Sequence, residues 1–131
     1  MNVKIDTKEK FSVITLFDTH LAANMTDELR KLLNEFMEKP VPHIVLNLAD
    51  VTLLATEPAE MLAMLQQNFY ENNISFVICE LKEQPETTLD EMGLLELLNV
   101  TPTESEAWDI VQMEEIEREL MSDMDDPAPA S

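Results

Sequence analysis

The stretch HIVLNLADVTLLATEPAEML, residues 43–62, decides the fold of this chain. Its first six residues are almost all apolar, which is typical of a strand covered on both faces of a sheet. Further along, Leu53 and Leu54 form an apolar strand end that runs directly into a helix start at Thr56. In α/β domains such junctions lie at the carboxyl ends of the strands, where ligand and partner sites tend to lie. The junction holds no nucleophile and no glycine-rich loop, only the carboxylate of Glu57, so we expect a protein-binding surface there.

Strand and helix patterns alternate on both sides of this stretch. Val3 and Ile5 alternate with polar residues, and residues 11–17 are rich in β-branched and aromatic types, so the two segments predict an N-terminal hairpin. Residues 74–79 predict a second buried strand. Alternation on this scale indicates right-handed crossovers between parallel strands. The sequence therefore predicts a single α/β domain with a central, mostly parallel sheet of four to five strands and about four helices.

Apolar spacing and helix start signals give the helices. Thr88 and Thr103 each open a capping box, in which an acidic residue three positions later completes the helix start. The only glycine, Gly93, falls inside the third predicted helix. Residues 1–119 are assigned to the domain and 120–131 to a disordered, acidic, Pro/Ala-rich tail. The first predicted helix is 25–39, with Asn24 or Thr26 as its cap. The second is 56–72, with Thr56 as its cap and with Leu62, Leu65 and Phe69 turned inward. The third starts at Thr88, and the fourth starts at Thr103 and buries Ala107, Trp108, Ile110 and Val111.

Charge and composition exclude several functions. The 131 residues include 27 acids and 8 bases, which give a net charge of −19. No basic patch is available for nucleic-acid phosphates, and the charge opposes binding to anionic membranes. No apolar run reaches the roughly 18 residues that would span a bilayer. A single cysteine, Cys79, and an N-terminus without an apolar signal segment predict a cytoplasmic protein.

The residues that usually carry chemistry are isolated in this sequence. His20 and His43 stand alone, and Cys79 has no cysteine or histidine at a ligand spacing, so no metal site is predicted. A phosphate-cradling loop needs glycines, and Gly93 is the only one. We therefore expect no cofactor, no catalytic residues and no enzyme activity.

The order of elements and several residues resemble the STAS domain, the family of bacterial anti-sigma factor antagonists. The resemblance covers about residues 1–117 and implies a STAS-like fold. It rests on the strand 13–17 followed by Asp18, the central strand and apolar stretch 44–51, the late segment 89–100 with Gly93, and Glu106-Ala107-Trp108 at the start of the last helix.

The family's signature at the strand–helix junction is Asp-Ser-Ser-Gly, whose second serine is phosphorylated by a partner kinase that also serves as the anti-sigma factor. The four positions are Ala55, Thr56, Glu57 and Pro58 in this chain. The resemblance therefore implies a permanent charge, Glu57, in place of a switchable one. A carboxylate in a first helical turn also gains about 0.3–1 kcal/mol from the helix dipole, which would explain Glu57 without any partner. The Thr56 hydroxyl could accept phosphate instead, although capping the helix is its expected role.

Two functions are consistent with these residues. The first is a phosphorylation-independent regulator that binds an anti-sigma factor or serine-kinase-like protein through the turn after Phe17 and the helix beginning at Glu57. The second is an assembly subunit of a larger complex, such as a transporter's cytoplasmic regulator or a signalling scaffold, with a homodimer as one option. The predicted contact residues are Asp18, Thr19, Thr56, Glu57, Glu60, Met61 and Met64, of which the two methionines are expected to edge an exposed patch.

Overall fold

The computed structural model describes residues 1–125, and its centre is a five-stranded sheet. The strands are β1 (Val3–Thr7), β2 (Ser12–Leu16), β3 (His20–Leu21), β4 (Ile44–Asn47), β5 (Leu53–Leu54), β6 (Phe76–Cys79) and β7 (Val100–Thr101). The order in the main sheet is β1-β2-β4-β6-β7, with an antiparallel hairpin first and parallel pairing thereafter. The strands β3 and β5 form a separate parallel pair that the sequence did not predict. The predicted α/β fold, its hairpin and its parallel sheet are confirmed.

Four α-helices surround the sheet: α1 (Thr26–Glu35), α2 (Thr56–Glu71), α3 (Glu83–Glu91) and α4 (Glu104–Asp125). The first predicted helix is shorter than expected, because its ends are 3₁₀ turns at Ala23–Met25 and Phe36–Glu38. Neither suggested residue caps it, and the Thr26 hydroxyl instead donates to the Ala23 carbonyl at 2.8 Å. The second helix ends at Glu71, close to the predicted end, and turns Leu62, Leu65 and Phe69 inward as predicted.

Side chains alternate between the two faces of the sheet. One face carries large residues such as Ile14, Leu46 and Phe76, which pack with α1, α2 and α3 in one buried cluster. The other face carries smaller residues such as Val45 and Val77, which pack against α4. This alternation along doubly covered strands is the consequence of the two-residue period of a β-strand.

The third helix starts earlier than the sequence predicted. It begins at Glu83, and Thr88 lies near its end, so the capping box at Thr88 is not a helix start. Gly93 lies outside the helix, at φ +70°. The Leu94 amide donates to the Leu89 carbonyl and the Gly93 amide donates to the Asp90 carbonyl, which is the Schellman pattern that ends a helix on a left-handed residue.

The last helix starts where the sequence predicted. The Glu106 amide donates to the Thr103 hydroxyl oxygen at 3.2 Å, which is an N-cap bond. Ala107 and Val111 are buried, and Trp108 and Ile110 are partly buried. The predicted boundary between residues 119 and 120 falls inside α4, and residues 126–131 of the predicted tail lie outside the described residues. Among the helices described, none is both long and apolar enough to cross a membrane.

Candidate partner-binding site

The candidate site lies at the edge of the sheet where the parallel strands end. Three hydrogen bonds to the Thr19 carbonyl join the turn after β2 to the segment before β5. Their donors are the Thr52 amide at 2.7 Å, the Thr52 hydroxyl at 3.1 Å and the Leu53 amide at 3.2 Å. Pairing of β3 with β5 continues this contact, and the Ala55 amide donates to the Leu21 carbonyl at 3.0 Å. The turn after β2 and the start of α2 are thus held side by side.

The start of α2 has no side-chain cap. Ala55 is the N-cap and Thr56 is the first helical residue, so the prediction that Thr56 caps this helix is wrong. A hydroxyl one residue inside the helix is past the N-cap position from which a side chain accepts from the first-turn amides. Pro58 has no amide hydrogen to satisfy, and its place in the first turn is tolerated for that reason. The helix therefore begins on backbone geometry alone, and the Thr56 side chain is exposed.

The outer face of α2 combines negative charge with one apolar side chain. Glu57, Glu60 and Met64 follow one another at spacings of three and four residues, which places them on one helical stripe. Both carboxylates are exposed, and Met64 is 73% exposed. Among the side chains of residues 1–121, neither carboxylate has an ion-pair or hydrogen-bond partner. This stripe therefore presents two free negative charges beside an exposed thioether.

Two predicted contact residues, Met61 and Asp18, take part in the packing and hydrogen bonding of the domain itself. Met61 is 3% exposed and packs in the main core, so the expectation that it edges an exposed patch is wrong. It lies one turn before Leu65 on the inward side of α2, and that spacing explains its burial. Asp18 is partly buried, and its carboxylate accepts a hydrogen bond from the Asn2 amide at 2.8 Å. Asp18 thus ties the turn after β2 to the start of β1.

Two apolar residues at this edge, Phe17 and Leu53, are not among the predicted contact residues. Phe17 and Leu53 are each nearly half exposed; Phe17 directly follows β2, and Leu53 is the first residue of β5, three residues before α2. A large apolar residue at a strand terminus was the available signal. Gln84 was not predicted to act here either; its side-chain oxygen accepts from the Leu54 amide at 2.8 Å, and its nitrogen donates to the Thr88 hydroxyl. This bridge fastens β5 to α3 and fixes the backbone from which α2 begins.

The start of α4 lies at the same edge but is fully engaged. The Glu80 carboxylate accepts from the Glu104 amide at 2.8 Å, and the Asn47 side-chain amide donates to the Glu104 carboxylate at 3.0 Å. Glu80 adopts φ +62°, a left-handed conformation that is uncommon for this residue type. Since Thr103 caps the same helix, the first turn of α4 is occupied within the protein, while that of α2 faces solvent.

In residues 1–121, the part of the chain whose side chains are described, no three histidine, cysteine, aspartate or glutamate side chains are grouped as a metal site would require. Burial, together with the nearby Glu104 and Glu80 carboxylates, raises the pKa of the Cys79 thiol to about 12. A thiol with that pKa stays protonated at neutral pH, so Cys79 behaves as a small buried apolar residue.

A mostly parallel sheet with an N-terminal hairpin and a charged helix start at its carboxyl edge define a small α/β domain. The chain belongs to the STAS domain family, whose sequence profile matches residues 2–107. A comparison with curated proteins finds no significant match.

Solved structures share this fold at low sequence identity. A serine-to-glutamate variant of RsbS from Moorella thermoacetica has a TM-score of 0.71 and 18% identity, covering 90% of this chain and 99% of that one. A putative anti-sigma factor antagonist from Thermotoga maritima has a TM-score of 0.72 and 20% identity, covering 84% and 94%. A chain from the stressosome, a signal integration and transduction hub, has a TM-score of 0.64 and 17% identity, covering 83% and 96%.

Proposed function

We propose that this STAS protein is a non-catalytic regulator that binds a protein partner through the start of α2 and the turn after β2. The observation that carries the proposal is the exposed Glu57 carboxylate, which has no partner among the described residues and stands in the first turn of α2. The proposed contact residues are Thr19, Thr56, Glu57, Glu60 and Met64, with Asp18 and Met61 holding the turn and the helix in position.

The charge of this surface favours a partner with basic groups. Glu57 and Glu60 are both free, and the helix dipole stabilises a negative charge at this end of α2 without neutralising it. A basic partner would therefore gain charge-assisted hydrogen bonds to two preplaced carboxylates. Met64 adds an adaptable apolar contact beside them. We infer a partner of the anti-sigma factor or serine-kinase-like class. We place this interaction in the cytoplasm, because a single buried thiol such as Cys79 is typical of a reducing compartment.

The same position supports a regulator that needs no phosphorylation. By its resemblance to the family motif, Glu57 occupies the position of the phosphorylated serine. Its single charge is less than the −1.5 to −2 or so of a phosphate, so it mimics that state only in part. On this proposal the protein stays in one binding state instead of alternating between two.

Charge reversal at Glu57 tests the proposed surface. Affinity capture from native lysate with quantitative mass spectrometry should show one partner reduced about tenfold or more for Glu57→Lys, which corresponds to about 1.4 kcal/mol. Glu71→Lys is the matched control, because it makes the same charge change at the other end of the same helix. Thermal unfolding of both variants separates lost binding from lost folding. Equal recovery of every protein by wild type and Glu57→Lys would contradict the proposal.

The Thr56 hydroxyl requires a separate test. It is exposed and does not cap α2, so phosphate could reach it. Intact-mass analysis of the protein from its native source should show no added phosphate if the charge at Glu57 is the permanent signal. A phosphorylated fraction that disappears in Thr56→Val would instead make this residue the switch.

A second function, assembly into a larger complex, is favoured by the similarity to the stressosome chain, which covers most of both proteins. Sedimentation at micromolar concentration distinguishes the two functions. A monomer at every concentration supports the partner-binding regulator, whereas a homodimer or larger species supports the assembly subunit.

A further inference from the structure

An apolar stripe runs along the solvent side of α4. It consists of Met113, Ile116 and Leu120, which are 58%, 56% and 57% exposed. The buried residues Ala107 and Val111 lie on the opposite side of the helix, where they contact the sheet. Spacings of three and four residues place the stripe on one line about 10 Å long. Contiguous exposed apolar side chains, unlike those scattered singly over a surface, mark interaction sites.

The charged side chains that flank the stripe are acidic, and they have no ion-pair partners among the described residues. Glu117 and Glu119 lie on either side of the line, at the positions that flank an apolar seam between two helices. Neither has an ion-pair partner among the described residues, whereas Glu115 lies 3.5 Å from Lys10. The one base of this helix, Arg118, turns inward and donates to the Ser75 hydroxyl at 3.1 Å. No basic side chain of α4 therefore offsets the acids beside the stripe.

We propose that the α4 apolar stripe docks an amphipathic helix of another protein whose apolar face is flanked by Lys or Arg. Three anchors at positions i, i+3 and i+7 are the usual pattern for helix-to-helix docking. Basic flanking residues would pair with Glu117 and Glu119 and would give the contact its specificity.

The negative charge around the stripe disfavours two other binding partners, a second copy of this chain and an anionic membrane. A second copy of the chain would bring the same acids to the interface, and its net charge is −19. Helices that lie on membranes carry basic residues on their polar face and are attracted to anionic lipids, which the acids here would repel. The stripe also lies beyond the first two turns of α4, away from the carboxyl edge, so the inference is independent of the function proposed for Glu57.

A labelled synthetic peptide of three heptads tests this docking face with the full-length protein. The probe has Leu at its seam positions and Lys at its flanking positions, and a matched peptide has Glu at the flanking positions. Fluorescence anisotropy should show the Lys peptide binding about tenfold or more tightly than the Glu peptide, with a steep loss in high salt. The double variant Ile116→Ser/Leu120→Ser should lose Lys-peptide binding, whereas Leu97→Ser, at an exposed leucine outside both proposed surfaces, should keep it.

A charge swap keeps the test valid even if the double variant unfolds. Glu117→Lys/Glu119→Lys leaves the stripe intact and should reverse the preference, so that the Glu peptide binds more tightly. The proposal is overturned if both peptides bind equally, or if the charge swap has no effect. It is also overturned if Ile116→Ser/Leu120→Ser converts a dimer to a monomer, or abolishes binding to vesicles of neutral or anionic lipid.

Discussion

The two faces of the central sheet are covered unequally, and the difference explains why the outer side of α4 is exposed to solvent. The first face is covered by α1, α2 and α3, and its core contains large side chains such as Phe76 and Leu62. The second face is covered by α4 alone, and its smaller cluster contains Val77 and Ala107. Small side chains let a single helix approach the sheet closely. Because no other described element covers α4, its far side is open to solvent.

The largest expected effect comes from adjacent residues on opposite faces. Phe76→Ala should lower the free energy of unfolding by about 3–5 kcal/mol, because it leaves a large cavity in the main core. Val77→Ala should lower it by about 2 kcal/mol, since less apolar surface and less volume are lost. Urea denaturation followed by circular dichroism measures both. Equal losses for the two variants would show that a side chain on the α4 face contributes as much to the free energy of unfolding as one in the main core.

The starts of α2 and α4 give a second, smaller difference. Thr103 accepts from the Glu106 amide, so Thr103→Ala should cost about 1 kcal/mol of unfolding free energy. Thr56 caps nothing, so Thr56→Ala should change it by no more than about 0.5 kcal/mol. Thr103→Ser, which keeps the hydroxyl, is the matched control and should retain most of the unfolding free energy that Thr103→Ala loses. A larger loss for Thr56→Ala than for Thr103→Ala would contradict the assigned caps.

The errors in predicting helix starts have a shared physical cause. Both α2 and α3 begin without a side-chain cap and have a proline at their third position, Pro58 and Pro85. Thr56 and Thr88 resemble capping residues in sequence, and for that reason they were predicted to start helices, a role that neither performs. A proline that lacks the amide hydrogen was the better signal in both places. Helix α4 has a genuine cap, Thr103, and its start was predicted correctly.

The candidate site was predictable in its position and less so in its details. The junction at residues 53–57 follows from the apolar pattern, because parallel strands end at a common edge. The short pair β3 and β5 was missed, since two-residue strands leave no periodic pattern to detect. The burial of Met61 was missed because α2 has a wider inward stripe than its leucine spacing suggested. These details depend on packing between elements, which a single sequence does not specify.

The smallest expected effect concerns pH and belongs to the α4 face. The His43 Nδ1 accepts a hydrogen bond from the Ser75 amide at 3.0 Å, and the Arg118 guanidinium lies 3.5 Å from its Nε2. Burial lowers the pKa of His43 below its ordinary value of 6.5. The charge of Arg118 lowers this pKa further, while Glu115 opposes the shift. A proton on His43 would also remove the acceptor that the Ser75 amide uses.

The direction of the pH effect follows from that lowered pKa. The unfolded chain binds the His43 proton more tightly than the folded protein does, so this stabilisation is complete above about pH 6.5 and is lost as the pH falls below it. His43→Asn retains a polar side chain but does not titrate, so its unfolding free energy should approach or exceed that of wild type as the pH falls from about 7.5 to 5.5. The difference between variant and wild type is the quantity to measure, because protonation of the many carboxylates affects both proteins alike. His20→Asn, at an exposed position, is the matched control. A difference that stays constant over this range would show that protonation of His43 is not linked to the stability of the fold.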